Sequence, residues 1–439
     1  MAASPARKAA FQILLRIQEQ DAYSSELLHS GLLSDLSAAD RGLCTEIVMG
    51  VLRWQSALDL AIAAVSDKDL KRLDPEVLIA LRIAAYQMRY LDRIPARAAV
   101  NESVELVRQA RKKSAVGFAN AILRKLGDAP ELGAAQTPAQ DLAQRLAHPQ
   151  WLVSRWVEAF GIVAAQRICE WDQAAPATTL RMHGASADEL AQEGVETAPG
   201  AIVRGALRVV SGDVTATAPF RDRRVFIQDE ASQLVALLVG RGVKILDCCA
   251  APGSKTAALA YRNPEAHILA AEIHPHRART LEARAGSNNV EVLVADATAL
   301  NLGANFDRVL ADVPCSGTGT LARNPEIKWK LRKDDLADLH KRQVAILNSA
   351  LRHVAPGGRA VYSTCSLETE ENSAVVEEVL SSDPQFRLLS CKDELVRLRD
   401  EGDYVWSELE SMVRGAFLRT LPGVHPCDGF FAAMFERVS

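Results

Sequence analysis

Residues 243–256, VKILDCCAAPGSKT, decide the fold of the second half of the chain. The run VKILD ends at Asp247 and is typical of a buried strand, and the small residues after it predict a tight turn into a helix. Such a turn lets the backbone approach a ligand closely, and the first N–H groups of the helix are free to bind it. The turn fits neither the three-glycine dinucleotide pattern nor the lysine pattern of a phosphate-binding loop, so a nucleotide di- or triphosphate is disfavoured.

Outward from this stretch, apolar strands alternate with helical segments at a spacing of about 20–30 residues. The strands are predicted at Val243–Asp247, His267–Glu272, Val290–Asp296, Phe306–Asp312 and Arg359–Ser363. Regular alternation of strands and helices predicts a mostly parallel, doubly wound sheet. The segment Gly429–Glu436, GFFAAMFE, predicts a last, antiparallel strand.

The first 127 residues have a helical pattern instead, because apolar residues recur every three or four positions. Pro75 and Pro95 fit helix starts, and Asp74 fits a cap. This part of the chain predicts an all-α bundle of five to seven helices. The segment Gly127–Asp141, rich in Gly, Pro and Ala, predicts a linker.

Between these two parts the pattern is mixed. A helix is predicted after His148, short strands at Thr178–Met182 and Leu207–Val210, and another helix at Asp229–Val239. This predicts a small α+β connector. The chain is therefore expected to form three domains, residues 1–140, 141–235 and 236–439.

Composition restricts the class of protein. The 439 residues are 48% hydrophobic with a mean hydropathy near zero, and no run of about 18 apolar residues occurs, so a membrane span or membrane partner is disfavoured. The N-terminus lacks the apolar core of a signal peptide, which predicts a cytoplasmic protein. A net charge of −4 excludes a globally basic nucleic-acid binder, so any RNA contact must come from local patches. The eight cysteines form no CxxC pair, which predicts free thiols and no metal site.

Three acids, Asp247, Glu272 and Asp296, stand at the ends of successive predicted strands. A carboxylate after the second strand of such a sheet commonly binds a ribose diol, and one after the third could accept a hydrogen bond from an adenine amino group. Together they predict a phosphate-free adenosine ligand, and S-adenosylmethionine fits best. The alternative is that each acid only caps the helix that follows it.

Two cysteines, Cys315 and Cys365, each come just after a predicted strand, in DVPCSGTG and RAVYSTCS. The carboxyl ends of the strands line the ligand crevice, so both thiols could face one substrate. Cytosine C5 is a poor nucleophile, but addition of a thiolate to C6 creates an enamine that can attack a sulfonium methyl group. One thiol would attack and the other would help to release the product. Asp312 could hold the N3 and exocyclic amine edge of the base.

The alternative for any cysteine is a small buried hydrophobic side chain. We prefer that interpretation for four cysteines outside the motifs, Cys44, Cys169, Cys391 and Cys427. Cys248 and Cys249 flank the cofactor turn and are interpreted as packing or backbone contacts.

At these residues the chain resembles the RNA (cytosine-5) methyltransferases of the Nol/Nop/Sun superfamily, in its small-subunit ribosomal RNA branch. The matching motifs, in family order, are Asp247–Thr256, Asp312–Gly319, Arg323–Trp329 (RNPEIKW) and Ser363–Ser366 (STCS). The helical front resembles the antitermination factor NusB in Asp40–Asp59 and Gly117–Leu126. The resemblance implies a NusB-like RNA-binding domain in residues 1–140 and a connector that also binds RNA in residues 141–235. For residues 236–439 it implies a Rossmann-like class I methyltransferase domain.

The resemblance also assigns roles to residues. It implies that Cys365 is the nucleophile, that Cys315 releases the product and that Asp312 contacts N3 and N4 of the cytosine. The implied contacts to S-adenosylmethionine are Cys249, Ala250, Ala251, Pro252, Gly253, Ser254, Lys255, Glu272, Asp296 and Asp312. Two positions depart from the family pattern, Ser254 in place of a second glycine and Glu272 in place of aspartate. Ser254 is tolerable if its φ is negative, and Glu272 keeps the charge.

The implied activity is methyl transfer to C5 of a cytosine in 16S ribosomal RNA, of the cytosine 967 type. The target base must leave its stack, so a loop or helix end is the expected substrate. Arg323, Lys328 and Trp329 are interpreted as RNA contacts, the alternative being a structural loop. The basic run 108–113 could hold RNA or be a solvated helix end. We expect a monomer. Alternative functions are transfer RNA cytosine-5 methylation, and RNA binding or ribosome assembly without catalysis.

Overall fold

The computed structural model describes residues 3–20, 22–126, 135–303 and 305–438. The chain divides into two compact units. We call Met1–Ala175 with Leu321–Lys330 the helical unit, and Pro176–Thr320 with Leu331–Ser439 the sheet unit.

The helical unit is an all-α structure, as predicted. Its helices up to residue 175 are α1 (Pro5–Glu19), α2 (Ser24–Leu28), α3 (Ala38–Arg53), α4 (Gln55–Val65), α5 (Pro75–Tyr90), α6 (Ala96–Gln109), α7 (Val116–Lys125), α8 (Pro138–Arg145), α9 (Gln150–Phe160) and α10 (Ile162–Gln173). A further short helix, Ile327–Lys330, completes this unit from a distant part of the chain. Seven α-helices precede residue 127 in the described part of the chain, which confirms the predicted bundle of five to seven.

Proline residues mark the helix starts as the sequence predicts. Pro75 is the first residue of α5, and Pro95 occupies the cap position before α6. Asp74 occupies the cap position of α5, but its side chain makes no capping hydrogen bond. Its carboxylate lies 3.2 Å from the Lys112 ammonium instead.

The linker predicted at Gly127–Asp141 falls mostly on residues 127–134, which lie outside the described residues. Its last residues belong to α8, where the Thr137 hydroxyl accepts the Gln140 N–H at 3.1 Å. Across the described ranges no single helix is both long and apolar enough to cross a membrane. One bent pair, α3 with α4, passes that test by length and composition only.

The sheet unit begins with a small antiparallel sheet. Its strands are β1 (Thr179–Met182), β2 (Glu196–Pro199), β3 (Ala206–Ser211) and β4 (Val225–Ile227), in the order β2-β3-β1-β4. Two short helices accompany them, α11 (Ala187–Gln192) and α12 (Ala218–Arg221). The predicted α+β connector is confirmed in this region, including both of its predicted strands.

The large sheet of this unit carries the quoted stretch at its centre. Its strands are β5 (Lys244–Asp247), β6 (His267–Glu272), β7 (Val290–Val294), β8 (Phe306–Asp312), β9 (Val354–Thr364), β10 (Phe386–Leu389), β11 (Val413–Arg414), β12 (Phe417–Arg419) and β13 (Phe431–Arg437). The helices are α13 (Glu230–Val239), α14 (Ser254–Arg262), α15 (Pro275–Ala285), α16 (Asp335–Leu351), α17 (Ser373–Ser382) and α18 (Cys391–Asp400).

Strands β9, β8, β5, β6 and β7 are neighbours in that order and run parallel, while β13 pairs antiparallel with β9. Both the parallel sheet and the last antiparallel strand are therefore confirmed. The chain passes from β5 outward to β6 and β7, then returns to the other side of β5 at β8. Ligands bind at the carboxyl ends of the strands beside such a reversal.

Strand register then aligns the two cysteine loops. Asp312 at the end of β8 pairs with Ser363 of β9. Cys315 follows Asp312 by three residues and Cys365 follows Ser363 by two. Both thiols therefore leave the sheet at the same edge.

The division into domains at residues 140 and 235 stays a prediction. The compact units follow packing instead, so the first one extends through α8, α9 and α10 to Ala175 and takes in Leu321–Lys330.

Candidate active site

The turn after β5 has the backbone shape that its small residues suggest. Gly253 has a φ of 105°, a value that favours glycine, and a Cβ there would lie 3.1 Å from the Leu281 side chain. Ser254 opens α14 and is not among the residues with positive φ, so the condition for tolerating serine is met. The Thr256 hydroxyl donates to the buried Asp247 carboxyl at 2.8 Å, which ties the helix to the strand end. Burial raises the pKa of Asp247 to about 7.

Strand order places Asp312, Asp247, Glu272 and Asp296 in that sequence along one edge of the sheet. In two of these residues, Glu272 and Asp296, one carboxylate oxygen accepts a hydrogen bond from the backbone that follows the strand. One Glu272 oxygen accepts the His274 N–H at 2.9 Å, and one Asp296 oxygen accepts the N–H and hydroxyl of Thr298 at 2.9 and 2.8 Å. The backbone bond from Thr298 lowers the pKa of Asp296. The other Glu272 oxygen lies 3.9 Å from a guanidinium nitrogen of Arg277, and each carboxylate can still accept a hydrogen bond from a ligand.

The chemistry of this edge suits S-adenosylmethionine. Carboxylates accept hydrogen bonds from ribose hydroxyls and from an amino group, and their charge favours a sulfonium over a phosphate. The Lys255 ammonium at the same edge is already bound, because it donates to Asp312 at 2.7 Å. The residues present therefore fit the cofactor that the sequence predicts.

Asp312 is fixed from two sides. Lys255 Nζ binds its Oδ2 at 2.7 Å, and the Ser363 hydroxyl donates to its Oδ1 at 2.6 Å. Burial disfavours the charged form of Lys255, but the Asp312 carboxylate outweighs it and raises the pKa of Lys255. The Asp312 carboxylate is thus held in one orientation at the end of β8 without a bound nucleobase.

The two predicted thiols meet. Sγ of Cys315 lies 3.3 Å from Sγ of Cys365, and both residues are partly exposed. The hydrogen bond to Cys365 and then burial raise the pKa of Cys315 far above the ordinary thiol value. Both effects favour the protonated form of Cys315.

The sequence analysis did not predict the buried carboxylate that binds the loops of both thiols. Ser316 and Ser366, the residues after the two cysteines, both bind the buried carboxylate of Glu371. The Cys-Ser dipeptide occurs at both thiols, and this repeat is the sequence signal from which a shared partner of the two serines could have been predicted. Glu371 gave none, because it lies in the acidic run 368–371, which resembles a solvated loop.

A close approach of two backbone segments fixes the Cys315 loop. The Gly319 N–H donates to the Cys365 carbonyl at 2.9 Å, and the Gly429 N–H donates to the Gly319 carbonyl at 2.8 Å. A Cβ on Gly319 would lie 2.1 Å from the Gly429 oxygen. Only glycine fits between these two segments without moving backbone.

We expect Gly319→Ala to destabilise the protein by about 1–3 kcal/mol, because the backbone must shift to admit the methyl group. The shift displaces the thiols, so turnover falls by about 10²-fold. Thermal unfolding and initial rates test both effects. Gly117→Ala is the matched control, since Gly117 lies in α7 with nothing within 4 Å of its Cβ position, and its Tm should hold or rise. An unchanged Tm for Gly319→Ala would contradict this packing argument.

The three residues predicted to contact RNA all lie in the helical unit. Lys328 is buried, and its ammonium donates to the carbonyls of Arg53 and Ala147 at 2.9 and 3.1 Å. The Trp329 indole donates to the Leu52 carbonyl at 2.6 Å, and Arg323 is half-buried. These three residues and the two thiols belong to different units of the structure. Their contact with RNA stays a prediction.

Burial lowers the pKa of Lys328 to about 7, against the weaker opposing effect of Asp172. Above pH 7 the folded state therefore binds fewer protons here than the unfolded state, whose lysines titrate near 10.4, so folding stability rises with pH. We expect the unfolding free energy of the wild type, minus that of Lys328→Met, to rise by about 1–2 kcal/mol from pH 7 to 8.5. Denaturant titrations at both pH values measure this difference. A constant difference would show that Lys328 is charged throughout.

Three parts of the chain match described protein families. Residues 4–128 match the NusB family, and residues 148–215 match the ferredoxin-like domain of RsmF/B-like methyltransferases. Residues 235–436 match the family described as 16S rRNA methyltransferase RsmB/F.

Similar proteins extend over nearly the whole chain. The probable ribosomal RNA small subunit methyltransferase B of Bacillus subtilis is 33% identical over 450 residues, which cover 98% of each chain. The ribosomal RNA small subunit methyltransferase B of Vibrio cholerae is 34% identical, over 91% of this chain and 90% of that protein.

Solved structures agree with the architecture. One superposes over the full length of both chains, with a TM-score of 0.83 at 24% identity. A methyltransferase homolog protein from Pyrococcus horikoshii has a TM-score of 0.56 at 24% identity, over 69% of this chain and 100% of that one. At these identities the likeness concerns the fold alone.

Proposed function

Because the chain belongs to the 16S rRNA methyltransferase RsmB/F family, we propose that it transfers a methyl group from S-adenosylmethionine to C5 of a cytosine in 16S ribosomal RNA. One observation carries the proposal. Two thiols 3.3 Å apart, at the carboxyl ends of adjacent parallel strands, stand beside a carboxylate that is held by a lysine. A protein that only bound RNA would need neither thiol.

In the proposed reaction the Cys365 thiolate forms a bond to C6 of the cytosine, and the electron pair of the C5–C6 double bond moves toward C5. Asp312 accepts a hydrogen bond from the exocyclic amine, which fixes the base over the sulfur. After methylation a solvent water molecule takes the C5 proton. The electron pair of the broken C5–H bond then restores the double bond and expels the Cys365 thiolate.

Cys315 assists release. Its raised pKa keeps it protonated while Cys365 attacks. The Cys315 thiol then donates its proton to the Cys365 sulfur as that sulfur leaves C6, and solvent returns a proton to Cys315. Each thiol then has a separate role in the two halves of the reaction.

S-adenosylmethionine would supply an electrophilic methyl group at the same edge of the sheet. We propose that the segment Cys249–Lys255 holds it, with Glu272 on the ribose and Asp296 on the adenine amino group. Asp312 borders both the cofactor and the base in this arrangement. We further propose that the protein acts as a monomer in the cytoplasm.

The experiment is bisulfite sequencing of ribosomal and transfer RNA from a deletion strain, with and without complementation. Protection of one cytosine in 16S rRNA, which we propose is cytosine 967, should be lost and then restored. Loss at a transfer RNA position instead would assign the alternative substrate. Unchanged protection everywhere would contradict the proposed activity.

A further inference from the structure

A single buried carboxylate joins the loops of the two thiols. Glu371 is 0% exposed. Its Oε1 accepts the Ser316 N–H at 2.7 Å, and its Oε2 accepts the hydroxyls of both Ser316 and Ser366. Ser316 follows Cys315 and Ser366 follows Cys365, so the carboxylate is bonded to the residue next to each sulfur.

A second contact holds the other side of the Cys315 loop. The amide of Gln343, a buried residue of α16, donates to Glu371 Oε1 at 2.9 Å and to the Pro314 carbonyl at 3.0 Å. The residue before Cys315 is therefore bound by Gln343 and the residue after it by Glu371, and these two side chains bind each other. The Tyr362 hydroxyl donates to the Glu371 carbonyl at 2.6 Å, which fixes the backbone of Glu371 against β9.

Burying a carboxylate is costly unless hydrogen bonds satisfy its oxygens. Here four donors do so, and three of them come from the residues that follow the cysteines. If the fold needed only a tie between two loops, a neutral side chain would avoid the cost of the charge. We therefore infer that the negative charge of Glu371 has a function beyond joining the two loops.

From this geometry we propose that Glu371 is a positioning residue for methyl transfer, whose carboxylate binds Ser316 and Ser366 and thereby holds both sulfur atoms against one cytosine. The proposal rests on the proposed function, since it names a residue that acts through Cys315 and Cys365. Glu371 itself touches neither substrate nor cofactor.

The charge of Glu371 also distinguishes the two thiols. It is one of the causes, after the Cys365 hydrogen bond and burial, that raise the pKa of Cys315. On the other side of the pair, the Lys255 ammonium interacts electrostatically with Cys365. The negative charge of Glu371 therefore helps to keep the proton on Cys315, whereas the interaction recorded for Cys365 is with a positive charge.

The test compares Glu371→Gln and Glu371→Asp with the wild-type protein. Glu377→Gln is the matched control, because it makes the same change at an exposed position of α17. Two quantities are measured on each protein. One is kcat and KM with the RNA substrate. The other is the initial rate of iodoacetamide alkylation at Cys315 and at Cys365 against pH, by peptide mass spectrometry.

We expect Glu371→Gln to lower kcat by about 10²-fold with little change in KM, because misplaced sulfur atoms affect the chemical step. Cys315 should be alkylated faster relative to Cys365, and its pH profile should move to lower pH. Glu371→Asp keeps the charge, so it should restore the pH profile of Cys315 even if kcat recovers only in part. Glu377→Gln should match the wild type in both measurements.

An unchanged alkylation ratio and pH profile in Glu371→Gln would overturn the proposal, even with a lower kcat, since general loosening of the fold would explain the rate. If that variant does not fold, Ser366→Ala removes a single donor, and the same criterion applies to it. If the wild type methylates no RNA, the proposed function fails, while the alkylation ratio still tests the assignment of Glu371.

Discussion

Replacement of Cys365 by alanine should abolish methyl transfer and leave the binding of S-adenosylmethionine unchanged. No other group in the described site can form the bond to C6 from the same position, because Cys315 keeps its proton and follows a different strand. Loss of a covalent nucleophile costs about 10⁴-fold or more in turnover. The proposed cofactor contacts, in the turn after β5 and at the ends of β6 to β8, do not include Cys365.

Incorporation of labelled methyl groups into RNA measures the first quantity, and calorimetric titration with S-adenosylmethionine measures the second. Cys391→Ala is the control for the substitution itself, because Cys391 is buried in α18 with its sulfur 3.7 Å from the Ala432 carbonyl. It should keep turnover. Undiminished turnover in Cys365→Ala would refute the nucleophile assignment.

Replacement of Cys315 by alanine should block the release step and leave the attack on C6 intact. Cys365 can still attack C6, but the group that assists release is missing, so a covalent complex of protein and RNA accumulates. Turnover should fall by about 10²-fold or more, the range for loss of an acid–base group. The complex appears as a shifted band on a denaturing gel in the presence of RNA and S-adenosylmethionine.

The double variant Cys315→Ala/Cys365→Ala is the control, since it lacks the attacking thiol and should give no shifted band. A Cys315→Ala protein that turns over normally without accumulating a complex would contradict the release role.

The sequence predicted the sheet well because local signals determined it. Strands β5, β6 and β8 each carry an apolar stretch that ends at an acidic residue, and strand–helix alternation permits few topologies. The meeting of Cys315 and Cys365 was predictable for the same reason, since parallel neighbouring strands end at one edge. The structure shows that meeting at 3.3 Å.

The features that could not be predicted are two charged side chains that are buried in the structure. Lys328 and Glu371 are both charged residues in polar stretches, and both are almost completely buried in the structure. Their partners are distant in sequence, Arg53 and Ala147 for the lysine, Ser316 and Gln343 for the glutamate. Pairings over such distances follow from packing and leave no periodic pattern in the chain.

Mapping the nucleotide in the trapped Cys315→Ala complex tests the central claim most directly. After digestion with nuclease and protease, mass spectrometry identifies the peptide that carries the RNA fragment. We predict one modified residue, Cys365, bonded to a cytosine of 16S rRNA. A nucleotide on any other residue, or on none, would contradict the assignment of the two thiols to one substrate.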